Sequence, residues 1–73
     1  MRNRKSNLEA SAALRLLRRQ LGLTQEEFAR QLGMTVFHVS RIECGRLPIT
    51  DGTLYRLEKR LGITAAQLGI VES

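Results

Sequence analysis

An all-α domain is what the sequence predicts, and three observations carry the prediction. Apolar residues recur at three- and four-residue spacing through most of the chain, the period of one face of a helix. A Ser or Thr is followed three residues later by Glu or Gln at Ser6 with Glu9, Thr24 with Glu27 and Thr64 with Gln67. This capping-box pattern satisfies orphan N–H groups where a helix begins. Glycines stand where the apolar patterns end, and no alternating run of useful strand length occurs.

The elements follow in order. The opening MRNRK is charged and polar, and residues 1–6 read as a basic arm that stays mobile until something anionic orders it. Ser6 and Glu9 start a helix near Asn7, with Ala10, Ala13, Leu14, Leu17 and Leu21 on its apolar face and Gly22 at its end. Thr24 and Glu27 open a second helix over residues 25–32, with Phe28, Ala29 and Leu32 inward and Gly33 closing it after barely two turns. Thr35 caps a third over residues 36–44, with Val39 and Ile42 inward and Gly45 ending it. Helices this short are marginal alone, so tertiary packing must hold them. Pro48 interrupts the pattern, because it lacks an N–H and restricts the residue before it. Thr50 or Asp51 then caps a fourth helix bearing Leu54, Leu57 and Leu61 and stopped by Gly62, and Thr64 with Gln67 starts a short fifth that stops near Gly69. The expectation is a compact five-helix bundle in one domain over residues 7–69, with a tail at 70–73.

Composition narrows the function classes. The chain has 73 residues, near the lower limit for burying a core, so it needs efficient helical packing or an oligomeric partner. One cysteine forms no internal disulfide, and one Cys with one His builds no structural zinc site. No metal, cofactor or catalytic pair is indicated, and no enzymatic activity is expected. No apolar run approaches the roughly 18 residues of a membrane span, and a reducing cytoplasm is the expected compartment, at the nucleoid if the partner is DNA. The net charge is +5, which points to a polyanion: DNA, RNA or an anionic membrane surface. Residues 1–20 hold Arg2, Arg4, Lys5, Arg15, Arg18 and Arg19 against Glu9 alone, which is the whole excess. Beyond residue 20 basic and acidic residues balance, which argues against a basic peptide that coats RNA or a membrane without regard to sequence.

Residues 25–44 satisfy several constraints at once. Two helices crossing steeply need a small residue where their backbones approach, and Ala29 fits. The turn needs a residue tolerant of positive φ, and Gly33 fits. Phe28, Leu32, Met34, Val39 and Ile42 supply apolar inner faces. The stretch LRLLRRQLGLTQEEFARQLGMTVFHVSRIECGR, together with the later GTLYRLEKRLGIT, resembles the Cro and phage-repressor helix-turn-helix family, the XRE-like regulators, from about Leu14 to Leu68. The resemblance implies a lambda-repressor-like fold and binding of double-stranded operator DNA, mostly as homodimers and mostly as repressors. It also implies roles for individual residues. Gln25 matches a glutamine that contacts the DNA backbone and helps orient a base-reading side chain. Val36, Phe37 and Arg41 match positions facing base edges, and Ser40 and Arg46 match phosphate contacts. Arg18 and Glu43 match an ion pair between the first and third helices.

The side chains themselves support those roles. Phe37 lies opposite Val39 and Ile42 on a helix, so it either presses on a thymine methyl, as Val36 can, or fills a crevice of the domain. Arg41, one turn on, can donate two hydrogen bonds to guanine O6 and N7. Free N–H groups at the start of the second helix favour a phosphate, and Thr35 and His38 are placed as further backbone contacts, His38 as a polar surface residue rather than a metal ligand. Arg2, Arg4 and Lys5 in the arm would add affinity with little sequence choice. Cys44 departs from the family, where an asparagine amide is common, and a lone thiol there is expected to be inert. Leu47, Ile49, Ile70 and Val71 fall outside the clear apolar faces and are either minor core residues or a dimer patch, with small size favouring the patch. A rival within the same fold is an antitoxin or restriction-modification controller whose main partner is a protein, such as a toxin.

Overall fold

The computed structural model describes residues 4–70, with side chains from Leu8 onward. Four α-helices, α1 (Arg4–Gln20), α2 (Gln25–Leu32), α3 (Val36–Glu43) and α4 (Asp51–Leu61), are followed by a single 3₁₀ turn at Ala66–Leu68. No strand occurs among the described residues.

Helix starts were the most legible part. Thr24 accepts from the Glu27 N–H at 3.0 Å while Glu27 accepts from the Thr24 N–H at 2.9 Å, a reciprocal box. Thr35 accepts from the His38 N–H at 3.1 Å, and Thr50, not Asp51, caps α4 through the Thr53 N–H at 3.3 Å. Gly33 closes α2 at φ 71°, and its N–H returns to the carbonyls of Ala29 and Arg30.

Three expectations are corrected. The first helix begins at Arg4 rather than near Asn7, since arginine and lysine are good helix formers and nothing before Ser6 breaks the pattern. Leu21 lies past the end of that helix and is about half exposed, so it is not part of the core face. The predicted fifth helix is only a 3₁₀ turn, leaving four helices instead of five. Its capping box does form, with the Thr64 N–H donating to Gln67 Oε1 at 2.8 Å. Gly69 then turns left-handed at φ 76° before a second turn of helix can be added, too little length for α-helix to propagate.

The core gathers Ala10 and Leu14 of α1, Phe28, Ala29 and Leu32 of α2, Val39 and Ile42 of α3, Leu57 of α4, and Ile63 and Leu68 from the C-terminal segment. Each helix gives one face to this cluster, and Ala29 is fully within it. Leu47, Ile49 and Ile70 are half-buried and pack against the same cluster, each leaving part of its surface exposed. Val71 lies outside the described residues.

Candidate nucleic-acid interface

The inner face of α3 is held in place by a buried polar network. Glu43 is 3% exposed at the end of the helix. Arg18 donates to it twice, from Nε to Oε2 at 2.7 Å and from Nη2 to Oε1 at 3.1 Å. Gln25 Nε2 donates to Oε1 at 3.0 Å, and Arg18 Nη1 donates to the Leu23 carbonyl at 2.8 Å. Three helices (α1, α2 and α3) therefore meet at one carboxylate, and Arg18 ties the loop after α1 to the same network. Among the described residues no buried side-chain polar atom is left without a partner. A planar guanidinium fork facing a carboxylate fixes direction as well as distance, so this contact sets how α3 is rotated about its own axis.

With Val39, Ile42 and Glu43 buried, the opposite side of α3 faces out. Phe37 is 65% exposed and Val36 40% exposed, so Phe37 fills no crevice of its own domain. Arg41 lies beside it, its guanidinium carbon 5.0 Å from the ring centroid. The amide of Gln25 is engaged by Glu43 rather than by Val36, Phe37 or Arg41, so any orienting effect on base-reading side chains passes through the Glu43 network.

Two recesses flank this outward face. One is lined by Arg15, Arg18, Arg19, Thr24, Gln25, Glu43 and Cys44, at the start of α2. There Arg15 Nη2 donates to the Glu43 carbonyl at 3.4 Å, and Arg19 is exposed. The other runs between the starts of α3 and α4, lined by Thr35, His38, Thr50, Gly52 and Arg56 among others. Both recesses are lined by arginines next to helix N-termini, where the helix dipole favours anions. Ser40 is half-buried and Arg46 exposed, the Arg46 N–H donating to the Arg41 carbonyl just past the end of α3. Cys44 is an exposed free thiol. The side chains of Arg2, Arg4 and Lys5 lie outside those described.

Sequence reasoning missed Arg15 and Arg19 as individual neighbours of the α2 start, although the basic excess of the first helix was the available signal. It also missed Arg56 and Arg60. Arg56 Nη1 donates to the Leu32 carbonyl at 3.0 Å, and Arg60 Nη1 donates to the Gln31 carbonyl at 3.0 Å. Those carbonyls are far away in the chain, so no local pattern could announce the contact. No group of His, Cys, Asp or Glu placed to hold a metal occurs among the described residues, and no helix there is long and apolar enough to cross a membrane.

A family model described as helix-turn-helix matches residues 14–68, most of the chain and all of the geometry above from Leu14 onward. The chain belongs to the Cro/C1-type helix-turn-helix family. The chain is similar to an HTH-type transcriptional regulator of Sinorhizobium fredii, y4dJ, described as uncharacterized, which is 42% identical over 52 residues, covering 71% of this chain and 68% of that protein. A propionyl-CoA carboxylase regulator of Cereibacter sphaeroides is 33% identical over 66 residues, covering 90% of this chain. The matched segment is only 14% of that regulator's length, so the likeness concerns one part of a much larger protein. No solved structure matches the chain. The family match, with a relative named as a transcriptional regulator, supports DNA-binding transcription regulation.

Proposed function

We propose that the chain is a sequence-specific regulator that reads double-stranded operator DNA with the outer face of α3 and acts as a repressor in homodimeric form. One observation carries this reading: Phe37 and Arg41 stand together on the exposed side of a helix whose opposite side is locked by Glu43. Such a face has the width of a major groove and the chemistry to read it, an apolar ring for a thymine methyl and a guanidinium for guanine. Val36 adds a second apolar contact. Gln25, Thr35, His38, Ser40 and Arg46 surround it as backbone contacts, and the recess holding Arg15 and Arg19 takes a phosphate at the start of α2.

A homodimer would place two copies of α3 in successive major grooves about 34 Å apart, on a two-fold-related operator. Val71 with Leu47, Ile49 and Ile70 is the proposed contact, the last three using the edges they leave half-exposed. Repression would follow from occupancy, with bound protein excluding polymerase. The cytoplasm, at the nucleoid, is the corresponding location. Residues 1–6 serve as the basic arm, even though helix already begins at Arg4.

Selection of binding sites from random duplexes, with the footprint's symmetry recorded, tests this reading directly. A palindromic footprint is expected. In Arg41→Ala, discrimination at one base pair per half-site should fall by about 1–3 kcal/mol. Unchanged preference in that variant would remove Arg41 from the reading set, and an asymmetric footprint with a monomer in sedimentation would remove the dimer.

A further inference from the structure

Phe37 and Arg41 are not two independent readers, because they already touch one another. They are four residues apart on α3, on the side opposite Val39, Ile42 and Glu43, and the Arg41 guanidinium carbon lies 5.0 Å from the centre of the Phe37 ring. Neighbours at this spacing share one helix face. A guanidinium over an aromatic face is attracted to it even when exposed, and more strongly once water is removed. Entry into a groove therefore strengthens the contact.

That contact fixes where each group falls on DNA. A guanidinium that donates two hydrogen bonds to guanine O6 and N7 must lie close to the plane of the guanine, because those acceptors are coplanar with the base. The Phe37 ring centre, 5.0 Å from the guanidinium carbon, then lies out of the guanine plane by less than two of the roughly 3.4 Å steps between successive bases. The ring arrives at the edge of the neighbouring base pair. The apolar group offered at a major-groove edge is a methyl on C5 of a pyrimidine, carried by thymine but not by unmodified cytosine. A 5-methylcytosine presents the same surface.

We propose that Phe37 and Arg41 act as one stacked unit, and that the half-site they prefer holds a guanine beside a base bearing a C5 methyl, either thymine or 5-methylcytosine. This rests on the reading of DNA by α3 proposed above, and adds to it the adjacency of the two bases and a sensitivity to cytosine methylation.

The test uses the full chain and the duplex enriched from random sequence, altered at each neighbour of the guanine whose recognition disappears in Arg41→Ala. Thymine is compared with deoxyuridine, and 5-methylcytosine with cytosine, so each pair differs by one methyl. The methylated member should bind tighter by ~4-fold per half-site, the equivalent of one buried methyl. Phe37→Ala should bind both members of each pair equally. Phe37 is 65% exposed, so this variant leaves the core intact, and an unchanged circular dichroism spectrum checks its fold. Indifference of the natural chain to the methyl at both neighbours overturns the proposal, and so does a Phe37→Ala variant that keeps the preference, since the methyl is then read elsewhere. An enriched sequence with no methyl-bearing base beside a guanine overturns this inference alone. Failure to enrich any sequence overturns the DNA-reading role beneath it as well.

Discussion

Glu43 is a charged residue 3% exposed in a domain small enough for one buried charge to matter. Its three side-chain donors, two from Arg18 and one from Gln25, offset the loss of water. Removing one partner of such a pair costs about 3–5 kcal/mol, because the other charge is stranded. A domain of this length has a total stability on the order of 4–11 kcal/mol. Glu43→Ala or Arg18→Met alone should therefore leave the protein largely or partly unfolded in urea titration. The double change Arg18→Met with Glu43→Leu should cost less than either, since an apolar pair strands no charge. Singles within about 1 kcal/mol of the natural chain would mean the pair behaves like an exposed bridge. Sequence reasoning could propose this pair only through family resemblance. Gln25 as its third member was legible only once α2 was packed against α3.

At the scale of the element, α2 is the clearest case of a helix that cannot hold itself together. Eight residues give too few internal hydrogen bonds to outweigh nucleation, so both ends are tied. At its start, the backbone N–H of Thr24, then the Thr24 side chain, hold the Glu27 carboxyl below its ordinary range, with Arg30 adding to the effect. A lowered folded-state value stabilises the fold above the unfolded value, and that stability is lost as pH falls through the folded value. The melting temperature should accordingly drop as pH goes below the ordinary glutamate range, and Glu27→Gln should show a shallower drop in the same scan. At its end, Arg56 and Arg60 reach across from α4 to the last carbonyls. Arg56→Ala should destabilise by about 1.5–3 kcal/mol, the range for hydrogen bonds to a charged group. Lys59→Ala is the control: its ammonium lies 5.7 Å from the centre of the exposed Tyr55 ring, and its removal should stay within about 0.5 kcal/mol by thermal unfolding. The N-terminal tie was written in four consecutive residues, whereas the C-terminal tie joins residues more than twenty positions apart.

Across the whole molecule, charge and shape divide the work of binding. The entire excess of +5 falls in residues 1–20, while the exposed face of α3 carries one arginine and little other charge. In the proposed complex α3 chooses the sequence and the N-terminal third strengthens the grip. Neutralising Arg15 and Arg19 to Gln should weaken binding to all duplexes alike. The salt slope should fall by about 0.9 for each phosphate that the protein no longer neutralises. The same substitutions at Arg2, Arg4 and Lys5 should act in the same direction. Binding titrations across a salt series measure both, and a change in the ranking of operator variants would instead place these arginines among the base readers.

By itself the sequence determined the helical class, the capped starts of α2, α3 and α4, and the residues of the helix-turn-helix. Those features rest on contacts within one or two turns, so spacing and residue type are enough to specify them. It overestimated the C-terminal segment, because a capping box announces a start and says little about how far a helix runs before Gly69 stops it. The tertiary structure decided what depends on distant neighbours. It tucked Leu47, Ile49 and Ile70 against the core, gave the Gln25 amide to Glu43 and set the α4 arginines on the end of α2. It also rotated α3 so that Phe37 and Arg41 face outward in contact with each other. The rotation of a two-turn helix is fixed by what grips its inner face, and here that grip comes from Arg18, twenty-five residues earlier in the chain.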